Sequence, residues 1–126
     1  MREILFRGKR TYNGEWIEGF YGHSGDKTYI IFDNGFAISY FKMKEVLQET
    51  VGQYIGLTDK NGKKIFEGDI VSVFEGIIQK LVNENSRYAF HNSNEICCYV
   101  LSICKSKDIE VIGNIYDNPE LLEEKK

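Results

Sequence analysis

A chain of 126 residues that is 42% apolar and 28% charged can build a packed core and is too apolar to be a disordered segment. Its net charge of −3 argues against a strong general attraction to nucleic acid or to an anionic membrane surface. The charge is unevenly placed: residues 1–52 hold seven basic and seven acidic side chains, and residues 53–126 hold nine and twelve.

In chain order, MREILFRGKR is polar from its second residue and lacks the apolar stretch of an export signal. No window reaches the roughly 20 apolar residues of a membrane span. A cytoplasmic protein with reduced thiols is therefore expected. Alternation places Ile4 and Phe6 on one side, with Leu5 and Arg7 opposite. Asn13-Gly14 predicts a hairpin turn in which both residues take positive φ. Glu15–Tyr21 returns as a strand, and Gly22-His23-Ser24-Gly25 reads as a loop. Thr28–Phe32 and Phe36–Tyr40 flank a second turn at Asp33-Asn34-Gly35. Met43–Gln48 is a candidate helical turn. The first region, residues 1–50, thus predicts a β-meander of hairpins.

The second region, residues 51–126, opens on a glycine-rich bend. Strands are expected at Asp69–Phe74, Ile77–Val82, Arg87–His91, Ile96–Cys104 and Glu110–Ile115, with loops at Asn83–Asn85 and Asn92–Asn94. Five short strands over this length suit an SH3-like β-barrel. One or two helical turns are expected after Pro119, over Glu120–Glu124. The fold class is mainly β, with the two regions packed as one compact unit.

The segment Tyr54–Val73, YIGLTDKNGKKIFEGDIVSV, invites a chemical reading. A phosphate loop fails: Gly56 and Gly62 stand five residues apart rather than four, and Lys63 is followed by Lys64 in place of Ser or Thr. An EF-hand loop with Gly62 at its sixth position puts Leu57 and Gly68 where acidic anchors belong. Only a weak cation site at Asp59, Asn61 and Glu67 is left. Turn chemistry accounts for more of the residues. Asp59 and Asn61 bond or tolerate turn backbone, Gly62 and Gly68 supply positive φ, and Asp69 is placed to accept from turn amides.

Three blocks carry a family resemblance: MREILFRGK, GQYIGLTDKNGKKIFEGDIV and EVIGNIYDNPELLEE. Together they resemble the YopX family, small proteins of bacteriophages and prophages. Many of its members carry Ala-Trp-Asp after the Phe-Arg pair, where this chain has Gly8-Lys9-Arg10. The resemblance implies a mainly β structure with an SH3-like carboxyl-terminal barrel. It implies no activity and no catalytic residues.

The remaining groups form no catalytic set. His23 and His91 lack metal-ligand spacing. Cys97, Cys98 and Cys104 share one expected strand; Cys98 and Cys104 lie too far apart along it to bridge. Ser24 lacks a nucleophile elbow. Neither an enzyme nor a cofactor is expected. The aromatics point to recognition instead. Among Tyr12, Trp16, Tyr21, Tyr40 and Phe41, some are expected to be exposed, beside Arg7, Lys9 and Arg10. The expected interaction residues are Arg7, Lys9, Arg10, Tyr12 and Trp16. A protein partner is favoured over nucleic acid by the net acidity, and self-association is a further expectation.

Overall fold

The computed structural model describes residues 4–33, 41–74, 76–84, 87–91, 98–99 and 105–122. The chain is mainly β, with antiparallel sheets and, among the described residues, helical structure limited to single 3-10 turns. It divides into two units, Met1–Tyr54 and Ile55–Lys126.

The first unit contains β1 (Phe6–Lys9), β2 (Trp16–Ser24), β3 (Lys27–Asp33), β4 (Phe41–Val46) and the start of β5 (Gly52–Thr58). The strands lie in the order β4-β3-β2-β1-β5. An isolated bridge from Arg10 to Val46 ties β4 back to the end of β1. Small residues permit that curl. A Cβ on Gly8 would meet the Val46 side chain at 2.9 Å, and one on Gly19 would collide with the Ile31 carbonyl oxygen.

Several expectations are corrected here. Ile4 is 62% exposed, while the adjacent Arg7 and Gly8 are both buried, so burial along β1 does not follow its apolar residues. The β1–β2 connection falls at Asn13-Gly14 as expected, but only Gly14 has positive φ (73°). The link spans more residues than a two-residue turn: Arg10 N–H donates to the Glu15 carbonyl and Gly14 N–H to that of Arg10, both at 2.9 Å. His23 is not in a loop. It sits in β2 opposite Thr28, and β2 turns into β3 at Gly25 with φ of 62°. Met43–Val46 is strand, not helix, because β3 offers it a full antiparallel partner; a 3-10 turn follows at Gln48–Thr50. The expected strand Phe36–Tyr40 and the turn residues Asn34-Gly35 lie outside the described residues.

The second unit receives the rest of β5 and adds β6 (Lys64–Phe66), β7 (Asp69–Val73), β8 (Ile77–Glu84), β9 (Arg87–His91), β10 (Cys98–Tyr99) and β11 (Ile109–Asn114). Five of these form a sheet in the order β10-β9-β8-β7-β11. Among the described residues this sheet is open at β10 and β11, so the expected closure into a barrel is not seen. Asn83 and Glu84 extend β8 opposite Tyr88 and Arg87 rather than forming a loop. A 3-10 turn at Ser106–Asp108 precedes β11, and the helical turn expected after Pro119 is a 3-10 turn at Pro119–Leu122, with Glu123 and Glu124 outside the described residues. Of the expected strand Ile96–Cys104, only Cys98–Tyr99 is described; Cys97, Cys104 and the loop Asn92–Asn94 fall outside.

Ile55, Ile65, Val71, Val73, Leu81, Tyr88, Phe90 and Ile109 make one buried cluster in this unit. Their burial is the main favourable term, at about 1.5–3 kcal/mol for each large side chain removed from water. Gln79 is buried with them at 4% exposure, and its Oε1 meets no donor among the described residues.

Candidate functional site

Two sets of residues were singled out by sequence, and they occupy different units. The first set forms a cation–aromatic cluster on the β1–β2 hairpin. Lys9 pairs directly with Trp16, and Arg7 with Glu18. This register places Arg7, Lys9, Trp16 and Glu18 on one sheet face, because alternate strand residues share a side. The Arg7 guanidinium lies 4.8 Å from the Trp16 ring centroid and the Lys9 ammonium 6.0 Å. Arg10 lies 5.7 Å from the Tyr12 ring, and Tyr12 is 86% exposed. Such contacts contribute about 0.5–1 kcal/mol at exposed positions and about 2 when desolvated, so the buried Arg7 makes the stronger one.

The backbone beneath the cluster is held on both sides. Lys9 N–H donates to Thr50 Oγ1 at 2.9 Å, and the Lys9 carbonyl accepts from Leu47 N–H at 2.9 Å. Asn13 Oδ1 accepts from Glu15 N–H at 3.0 Å, which shapes the turn. Trp16, Glu18 and Phe20 alternate onto the same face. Phe20 continues across the sheet to Ile31 and Met43, in a row that the sequence reading missed. Phe20 and Met43 are about half exposed. Sequence alternation alone does not reveal such a row, since it requires the pairing of three strands.

The second set is the turn residues, and they form a scaffold rather than a binding site. Asp59 is buried. Its Oδ1 accepts from the Asn61 and Lys63 amides, each at 2.9 Å, and its Oδ2 from the Val111 amide at 2.9 Å. Burial pushes the Asp59 carboxyl up, but the Val111, Lys63 and Asn61 amides together with the Lys63 charge hold it below the usual carboxylate range. With both oxygens committed to backbone, the weak cation site at Asp59, Asn61 and Glu67 lacks its central ligand. Gly62 has φ of 83° with open space around it. Gly68 has φ of 88°, and a Cβ there would meet the Tyr116 ring at 3.0 Å. Asp69 is buried, and its Oδ2 accepts from Phe66 N–H at 2.8 Å. Asn114 works in the same way at the other end of the unit, its Oδ1 accepting from the Tyr116 and Asp117 amides at 3.0 and 2.9 Å.

The structure does not bring the other chemical candidates together. His23 packs 6.2 Å from Tyr21 in the first unit, and His91 pairs with Lys80 in the second. Among the described residues no three His, Cys, Asp or Glu side chains group to hold a metal. A shallow groove near the β2–β3 turn includes Tyr21, His23 and Lys27. A second groove, in the second unit, runs beside Phe74, Lys107 and Glu110, none of which the sequence reading selected as a site. No described helix is long and apolar enough to cross a membrane.

Among curated proteins none matches this sequence. Among solved structures, the crystal structure of protein EF1440 from Enterococcus faecalis is similar with a TM-score of 0.58. The similarity covers 98% of this chain and 100% of that one at 24% identity, which speaks to fold alone. The family profile described as YopX protein matches residues 5–123. That match takes in nearly the whole described chain and all of the three blocks but their first four residues and last one, and on it the chain belongs to the YopX family.

Proposed function

We propose that this protein is a non-enzymatic accessory protein of a phage or prophage. In this reading it acts in the host cytoplasm by binding a protein partner through the outer face of the β1–β2 hairpin. The observation that carries the proposal is the grouping of Arg7, Lys9 and Trp16 with the 86% exposed Tyr12 on one hairpin. Tryptophan, tyrosine and arginine are the residues enriched at the energetic centres of protein interfaces. The second unit is read as SH3-like in order. Its last strand, β11, returns beside β7, the first of the meander β7-β8-β9-β10, which supports that assignment.

The test is affinity capture from lysogenic or infected cells, comparing wild type with a Trp16→Ala/Lys9→Glu variant whose melting is checked. A partner recovered by wild type and lost by the folded variant supports the proposal. Equal recovery by both sinks it, as does turnover of a small metabolite with no partner at all. A second reading, single-stranded nucleic acid, is favoured only by Arg10 over Tyr12. It predicts a low-salt gel shift that weakens with salt and with Lys9→Glu and Arg10→Glu. Light scattering at two concentrations separates either reading from self-association.

A further inference from the structure

Phe74 follows β7 and has φ of 50°, the sole positive value for a non-glycine among the described residues. Phenylalanine is strained in that region, where glycine or asparagine sits with little strain. Burial does not offset the strain, since Phe74 is 53% exposed. Its backbone is nevertheless held in place: Phe74 N–H donates to the Asp108 carbonyl at 2.9 Å. Strained residues of this kind cluster at ligand clamps and switch regions, and Phe74 leaves about half of its surface in solvent.

The ring borders a groove of about 250 Å³, built wholly within the second unit. The charges around it are unequally committed. Asp108 Oδ2 accepts from Lys105 N–H at 3.1 Å, so that carboxylate serves its own turn. Glu110 and Lys60 pair at 3.7 Å, each 43% exposed, which is a weak pair that a better anion can displace. Lys107 makes no ion pair among the described residues. Buried Ile109 and the half-buried Ser72 complete the lining.

We propose that this groove binds a small ligand joining one planar ring to one anionic group, with the ring on Phe74 and the phosphate or carboxylate between Lys60 and Lys107. The groove lies below the roughly 300–1,000 Å³ of drug-sized sites. Its size suits a mononucleotide or an aromatic acid. The site is independent of the hairpin and uses none of its residues.

The test is amide NMR of the full chain at low salt, titrated separately with AMP, 4-hydroxybenzoate, adenosine and inorganic phosphate. AMP or 4-hydroxybenzoate, or both, should shift the Phe74, Lys107 and Glu110 amides and saturate; which of the two does so identifies the source of the anion. Adenosine and phosphate should produce no comparable saturation. Phe74→Gly and Phe74→Asn both fit the left-handed backbone, so each should stay folded and lose the response. Lys107→Glu should weaken binding about tenfold, a typical loss for one charge contact. Three results overturn the proposal: no saturation with either ring-bearing anion at millimolar concentration, an equal response to phosphate alone, or undiminished binding by folded Phe74 variants.

Discussion

In the second unit eight apolar side chains from Ile55 to Ile109 share one buried cluster. In the first, the buried apolar residues among those described are Ile30, Val46 and Tyr54, set among Gly8, Gly19, Thr28 and Thr50. The first unit also leaves Tyr12 largely in solvent and Phe20 and Met43 about half exposed. The second ties its turns down with buried carboxylates; the first displays cations and rings on a curled sheet. Most of the two long family blocks falls in the second unit, and there the residues meet each other. Asp59 accepts from Val111, Lys60 N–H donates to the Ile109 carbonyl, and Ile115 N–H donates to that of Gly68. The family's sequence signature is thus largely a record of how one unit is held shut.

The largest effect that would break this contrast is at Gly68. Gly68→Val places a branched side chain at φ of 88° against Tyr116. We expect a loss of about 3 kcal/mol or more in urea unfolding, from strain and clash together. Gly62→Ala has the strain without the clash and should lose about 1 kcal/mol. Equal losses at the two glycines would show that Tyr116 gives way.

Asp59→Asn comes next. The amide keeps one acceptor and turns a donor toward backbone N–H groups, which should cost about 2 kcal/mol. The Asp59 pKa is lowered in the fold, so its stabilisation is present above the unfolded carboxylate pKa of about 3.9 and is lost as pH falls through the lower folded value. Melts taken from neutral pH into that acid range should show a smaller drop for the Asn variant than for wild type.

Gln79→Leu sharpens the comparison from the other side. Its Oε1 is buried without a donor among the described residues, so an apolar replacement of similar size should be neutral or stabilising by up to about 1 kcal/mol. A loss of stability would mean that the amide is satisfied by bound water. The smallest effects belong to Lys63→Ala and Lys64→Ala, each within about 0.5 kcal/mol by thermal melting. A large loss at either would show that its side chain carries part of the scaffold.

Much of this architecture is readable along the chain. Val-, Ile- and aromatic-rich runs between glycines give strands, and β9 falls at the expected residues Arg87–His91. Asp59-Lys60-Asn61-Gly62 is turn chemistry in sequence, and in the fold Gly62 N–H closes onto the Asp59 carbonyl at 3.0 Å. These signals act between residues a few positions apart, so a linear reading holds them. The segment Met43–Val46 is different, because Met, Lys and Glu favour helix locally and only pairing with β3 makes them strand. The burial of Arg7 is decided by Trp16, which arrives from the neighbouring strand. Gly8 and Gly19 are required by Val46 and Ile31, on strands reached only through the fold. The strain at Phe74 is set by a turn whose far anchor is Asp108. Turn and strand preferences are short-range properties of the backbone and were determined by sequence. Which side chain is buried, strained or brought against a distant partner depends on what folding places opposite it, and that was decided by tertiary structure alone.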